Sequence, residues 1–545
     1  MKTSSGFLLP MSDEGRQQLR ALKDAVGLIA GGKERRRWEV LDTFDWRLLS
    51  ADCVLLRDRT CFELHRCAGD ELIARESFKA AAKHLAIDDF PVGALRDKVS
   101  TVMDIRAVMP RAEVIREVEV FRIENTDGKT TVRVELETLF RPVAGQKAMP
   151  FRRLMRVVAL KGYESQAEAV SRQLAEAGLA EHDDTRHYAF AALEASGVTP
   201  FDYASKIKLE LSPNLTAREA CTRILLASLE QVQVNVPGML ADIDSEFLHD
   251  FRVALRRTRS LLQLVRGVYA EEQVLAHKTA LGDVMKRTNR LRDLDVYLLE
   301  QGDYAKLLPP ALRPGLEDFF ADLCKERSKV FKQFVKALQS AQVTRELKAW
   351  DRFVRKEALS SHATVQDGDA PVKSLANQLL MKRFKRIIKD GRKIADETPD
   401  EAVHELRIQF KKLRYLLEFF RSLYDSDELD FLIKRSRKIQ NVLGAFNDVC
   451  VQQETISQYL KSVDLKRPEA VQLCAALGAL VAELERKRVC ERKKFRAAFD
   501  TLDDARVLSV ADHLFRPIIV EVSTNPPMFA PAKKPKPKKA KKISR

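Results

Sequence analysis

The chain has no apolar run near the roughly 20 residues that a membrane-spanning helix requires. Its opening, Met1 to Pro10, lacks the long apolar core of a secretory signal. The eight cysteines, at 53, 61, 67, 221, 324, 450, 474 and 490, contain no CxxC pair. That scatter argues against a disulfide framework or a zinc site and suits a reducing compartment. Also missing are a phosphate-binding Gly-rich P-loop, an HExxH helix, a GxSxG elbow and any base-reading or RNA-binding aromatic signature. These absences lead us to expect a cytoplasmic protein with no membrane partner, no cofactor, no metal and no assigned catalytic residue.

What is present is globular. The 545 residues amount to three or four domains at about 150 residues each. Hydrophobic residues make up 45% and charged residues 32%, enough for sizeable cores. The net charge is +16, but eight basic residues and no acid fall within Lys533 to Arg545, so half of it sits there. Net charge alone therefore says little about a polyanionic partner; clustering of the cations has to decide.

Up to about residue 200 strand-like stretches alternate with turns. Val114 to Ile123 and Thr131 to Leu139 flank Asn125-Thr126-Asp127-Gly128, which predicts a hairpin. Asp13 to Leu28 and Glu164 to Ala180 read as helices. From about residue 203 the apolar spacing becomes helical, with Thr216 to Val232 and Leu316 to Phe353 as long examples. A polar stretch, Ser360 to Pro371, divides this region, and Asn525 to Arg545 is Pro- and Lys-rich, as a disordered tail would be.

The helical region repeats itself. Phe247-Leu248-His249-Asp250-Phe251-Arg252-Val253 recurs as Ala402-Val403-His404-Glu405-Leu406-Arg407-Ile408, an offset of 155 that holds for more than forty residues. Arg256, Arg257 and Arg259 fall on Lys411, Lys412 and Arg414, Tyr269 on Tyr424, and Asp293 on Asp448. Glu326-Arg327-Ser328-Lys329 resembles Glu491-Arg492-Lys493-Lys494 at an offset of 165. At about 100° per residue His249, Arg252, Arg256 and Arg259 share a stripe about 80° wide, opposite an apolar face. Like charges so placed repel, which a purely structural helix would avoid. Their retention in both copies predicts an anionic ligand, held where the two stripes face each other across a groove or pore. Asp293 and Asp448 are expected to position neighbouring bases.

These residues, with Leu291-Arg292-Asp293-Leu294-Asp295-Val296 and Leu443-Gly444-Ala445-Phe446-Asn447-Asp448, resemble the CHAD (conserved histidine α-helical) domain family over about residues 203 to 515. The resemblance implies two pseudo-symmetric four-helix bundles, residues 203–359 and 372–515, around a basic cavity that binds inorganic polyphosphate. By carry-over the cavity would be lined by His249, Arg252, Arg256, Arg257 and Arg259 with His404, Arg407, Lys411, Lys412 and Arg414; Lys286, Arg290, Lys434 and Lys438 would contribute from the next helices. One departure is Thr288-Asn289 where the second copy has Leu443-Gly444, which puts close helix approach there in question.

Residues 1–200 resemble, more weakly, the CYTH domain, a triphosphate-tunnel fold of α+β, β-rich class. The likeness rests on Val40-Leu41-Asp42-Thr43-Phe44-Asp45-Trp46-Arg47-Leu48-Leu49 and Leu55-Leu56-Arg57-Asp58-Arg59. Active members carry an ExExK strand, and Lys2 to Pro10 contains no Glu, so a degenerate, non-catalytic module is expected. Glu135 and Glu137 alternate on a predicted strand, a pattern that suits a divalent ion or simply a wet face.

The expectation is polyphosphate binding by charge-assisted hydrogen bonds, on polyphosphate granules where the resemblance is followed to its end. Its alternatives are a nucleic-acid-binding or scaffold protein using the tail, residues 525–545, and a metal-dependent triphosphatase working through the N-terminal domain.

Overall fold

Alternation of apolar and polar residues sets the N-terminal half. The computed structural model describes residues 4–516 apart from 69–70, 81, 183–185, 206, 208, 360–366 and 396. Most of the Ser360 to Pro371 divider and all of the Lys-rich tail lie outside those residues.

Nine strands form one antiparallel sheet: β1 (Ser4–Leu8), β2 (Ile29–Thr43), β3 (Cys53–Arg57), β4 (Cys61–Arg66), β5 (Leu72–Ser77), β6 (Val108–Glu124), β7 (Thr130–Arg141), β8 (Met149–Ala159) and β9 (Ala180–Glu181). Their order is β5-β4-β3-β2-β6-β7-β8-β1-β9. The expected hairpin is β6–β7, with Ile115 opposite Phe140 and Gly128 turning at a φ of 72°. Glycine takes that left-handed conformation without steric cost. Helices α1 (Asp13–Val26), α2 (Arg47–Ser50), α3 (Ala94–Met103), α4 (Glu164–Glu176) and α5 (Ala189–Ala195) accompany the sheet. Val132, Val134 and Leu136 of β7 pack with Leu22 of α1 and Leu174 of α4 in one core. Trp38, Val114 and Leu139 pack with Leu193 of α5 in another.

The segment Val40 to Leu49 builds a corner. Buried Asp42 accepts the backbone N–H groups of Thr43, Leu48 and Leu49 at 2.7, 2.9 and 3.0 Å. Burial pushes its carboxyl up to about 6 against those bonds. Trp46, at a φ of 61° and fully buried, donates from Nε1 to Asp202.

Helical spacing takes over beyond residue 203, giving α6 (Ala217–Leu240), α7 (Ser245–Leu264), α8 (Glu271–Arg287), α9 (Asn289–Leu299), α10 (Gln301–Leu307), α11 (Pro314–Leu338) and α12 (Ala341–Arg352). Then come α13 (Val372–Gly391), α14 (Asp400–Phe419), α15 (Ser426–Ser462), α16 (Ala470–Asp500) and α17 (Ala505–Leu514). The long helix expected over Leu316 to Phe353 is split: α11 ends and Ser340 caps α12 by accepting from Val343 N–H. Glu164 to Ala180 also stops early, where Gly178 takes a φ of 83°.

The two copies share their cores. One core takes Phe251 and Leu255 of α7 together with Phe410 and Leu413 of α14. A second takes Leu294 of α9 and Phe319 of α11 together with Ile456 of α15 and Leu477 of α16. Both cores cross the repeat boundary, because the apolar faces of corresponding helices pack on each other. The two copies are thereby joined through shared cores.

Candidate functional site: a shared cationic seam

The His-led helices are α7 and α14. Asp244 caps the first, accepting from Glu246 and Phe247 N–H. Their apolar faces enter the shared core, so their charged edges come together at the seam.

Arg256 decides the matter. It stands close enough to Arg407 and Lys411 of the other copy to lower the pKa of both by repulsion, behind the larger effect of burial. It also depresses Arg252 and His249 in its own helix. Burial first, then Arg407 and Arg256, bring Lys411 down to about 8. Burial and Arg256 bring Arg252 to about 10, and burial with Arg292, Arg256 and Arg106 takes His249 to about 4. Half-buried cations gathered around one point, with Asp448 and Asp293 as the carboxylates beside them, make a site of positive potential.

The carried-over residues divide by their partners. Arg252 spans the break between α8 and α9, donating from Nη1 to Met285 O at 3.3 Å, to Asn289 Oδ1 at 2.8 Å and to Thr288 Oγ1. Arg407 donates to Asp448 at 3.2 Å, and Asp293 feels Arg252, so both aspartates stand beside the bases they were expected to position. Arg259 lies against α8 where Gly282 leaves room, with Nη1 3.7 Å from Met285 Sδ. His404 turns Nδ1 to Asn447 Oδ1 at 2.7 Å.

Others sit apart from the seam's centre. Arg257 is buried, donating to Ser205 O and to Glu418 at 3.3 Å, and Arg414 pairs with the same Glu418 at 3.2 Å. Lys412 faces Arg383 and Arg386 of α13. Lys286 pairs with Asp283 at 3.0 Å, and Arg290 holds Glu326 through two bonds of 2.6 and 2.5 Å. Lys434 and Lys438 are exposed on α15. Gly444 supports no close helix approach, since a Cβ there would meet nothing within 4 Å. α15 simply runs straight through the place where the first copy breaks at Thr288.

Sequence reasoning missed Arg106. This side chain, 1% exposed, leaves the sheet domain for the first copy. It donates to Asp250 at 2.6 Å and Asp244 at 3.2 Å, lies 3.6 Å from Asp45, and covers the ring of Phe247 at 5.2 Å. Tyr203 donates to the same Asp250 at 2.8 Å, and Phe44 packs on Phe247 at 4.8 Å. A signal was available: Asp244, Phe247 and Asp250 correspond to Pro399, Ala402 and Glu405, places where the copies differ. Glu246, His249 and Asp250 present ligand-type atoms within 4.8 Å of one another. Arg106 on Asp250 and Arg292, 3.7 Å from Glu246, already bring cations to that cluster, which disfavours a metal there.

In the sheet domain Glu137 is buried and accepts from Arg116 Nε at 2.7 Å, while Glu135 lies opposite Arg156. β1, Ser-Ser-Gly-Phe-Leu, supplies no carboxylate to the sheet.

Residues 223–457 match the family model of the CHAD domain. The chain carries a CHAD domain. An uncharacterized protein of Mycobacterium tuberculosis is 28% identical over 217 residues, 39% of this chain and 40% of that relative's own length. The crystal structure of the CHAD domain from the plant Ricinus communis is 26% identical, with a TM-score of 0.45, over 54% of this chain and 94% of that one. A Hippeastrum protein named as an adenylyl cyclase with a dominant triphosphatase activity is 13% identical, with a TM-score of 0.26, over 37% of this chain and 99% of that one. Among the described residues no helix is long and apolar enough to cross a membrane.

Proposed function

We propose that the CHAD domain binds inorganic polyphosphate along the seam between α7 and α14. The observation that carries this reading is Arg256 beside Arg407 and Lys411, three cations of the two copies acting on one another with Asp448 as the carboxylate beside them. A threadlike polyanion would relieve that repulsion, and arginine grips phosphate oxygens in pairs where lysine acts as a point charge. His249, Arg252, Arg256, His404, Arg407 and Lys411 would make the contacts. Arg257 and Arg414, tied to Glu418, would hold the two helices at the right separation. Granule association follows from such binding.

The test is calorimetric titration of the full chain with long-chain polyphosphate. Arg252→Glu combined with Arg407→Glu abolishes the heat; unchanged affinity ends the assignment.

The N-terminal domain reads best as a CYTH-like module without hydrolytic activity, because Glu137 is engaged by Arg116 and β1 lacks acids. Phosphate release from tripolyphosphate with magnesium or manganese, lost in Glu137→Gln, would replace that reading with the triphosphatase.

A further inference from the structure

A groove opens in the second copy where the first carries ion pairs. A cavity of about 460 Å³ runs from His404 and Arg407 on α14 along one face of α15 to Gln458. From Asn447 to Gln458 the face is about 16 Å long at 1.5 Å per residue. Its character changes in order. Arg407 and His404 stand at one end with Asp400 and Glu401; Phe446, Cys450 and Val451 give an apolar wall; Glu454, Thr455 and Gln458 close the far end with polar groups. Gln458 donates to Glu454 at 2.6 Å, which leaves acceptor oxygens of both side chains.

The first copy shows what a closed version looks like. Asn447 corresponds to Arg292, whose guanidinium reaches toward Glu246 at 3.7 Å. Cys450 corresponds to Asp295, which accepts from Arg327 at 2.7 Å. Charged, ion-paired residues take those positions in the first copy, and neutral residues take them in the second. Asp400 at the groove's edge is paired with Arg488 at 2.6 Å, and Glu401 beside it is exposed to solvent, so an anion would enter on the Arg407 side.

We propose that this groove binds a nucleoside polyphosphate whose base carries an exocyclic amino group. The phosphates lie on His404 and Arg407, the base covers Phe446, Cys450 and Val451, and its amino group donates to Glu454 and Gln458. Inorganic phosphate alone would leave the apolar wall wet, and an acyl chain would cover the Glu454 carboxylate with hydrocarbon. The volume falls in the usual range for small-ligand pockets, about 300–1,000 Å³. Sharing His404 and Arg407, the proposal rests on the polyphosphate reading for its anionic end only.

The experiment titrates the full chain with ATP, tripolyphosphate and long-chain polyphosphate, and repeats all three on Val451→Trp. Val451 is 56% exposed, so the indole fills the groove without entering the core. We expect ATP to bind at least about tenfold tighter than tripolyphosphate, and Val451→Trp to weaken ATP about tenfold while leaving long-chain polyphosphate unchanged. ATP no tighter than tripolyphosphate, or ATP indifferent to the tryptophan, overturns the groove. If ATP binds and long-chain polyphosphate does not, the groove stands and the seam falls; the opposite pattern keeps the seam and removes the groove.

Discussion

Arg106 donates from Nη2 to Oδ2 of Asp250 at 2.6 Å, joining a residue of the α3–β6 loop of the sheet domain to the residue next to His249. The two domains are thereby locked through the very helix that carries half of the cationic seam. Desolvated charge pairs contribute little net stability when intact, but removing one partner strands the other.

Arg106→Ala should therefore cost about 3–5 kcal/mol in urea unfolding, because the carboxylates of Asp244 and Asp250 lose their counter-charge. Arg106→Ala with Asp250→Asn should recover part of that loss. A loss below about 0.5 kcal/mol, the range of ordinary surface changes, would show that the contact is incidental.

Arg256 and Arg257 are neighbours in sequence with opposite fates. Arg256→Ala should weaken polyphosphate binding by about 1 kcal/mol, roughly fivefold, with little change in melting temperature. Arg257→Ala should lower the melting temperature, since Glu418 loses its buried partner, with a smaller effect on affinity. Reversed outcomes would exchange their roles.

Lys411 titrates near 8 in the folded chain, below its ordinary value. It is charged below that pH and neutral above it, so polyphosphate affinity should fall as pH rises from about 7 to about 9. Lys411→Arg, which stays protonated, should flatten that decline. A bound polyanion favours the charged form, so binding at pH 8 should take up protons, which calorimetry in buffers of different ionisation enthalpy detects.

Salt gives an independent check. Binding by exposed and half-buried cations should weaken steeply as ionic strength rises from 0.05 to 0.5 M, roughly the range in which screening shortens below 10 Å. A salt-indifferent affinity would place the ligand elsewhere.

Much of this was legible in the residues. The β6–β7 hairpin followed from alternation around Gly128, and the duplicated motif located α7 and α14 with their charged edges. Arg327 and Arg492, matched at the longer offset, both reach back to the loop preceding a His-led helix: to Asp242 in one case, to Ala395 O and Thr398 O in the other. Interleaving of the two cores was not legible, because apolar spacing marks a buried face without naming what buries it. Arg257 was carried over with its neighbours although its position on the helix, about 80° from His249, lies off the stripe. Only the fold could supply Glu418, 161 residues away, as its partner.

The unbroken course of α15 has a mechanical meaning. At 37 residues it is about 55 Å long. Leu443 and Phe446 anchor it in one core, Val449 and Ile456 in the other. One continuous rod therefore ties the two cores together in the second copy, where the first copy relies on the Arg252 bonds across the Thr288 break.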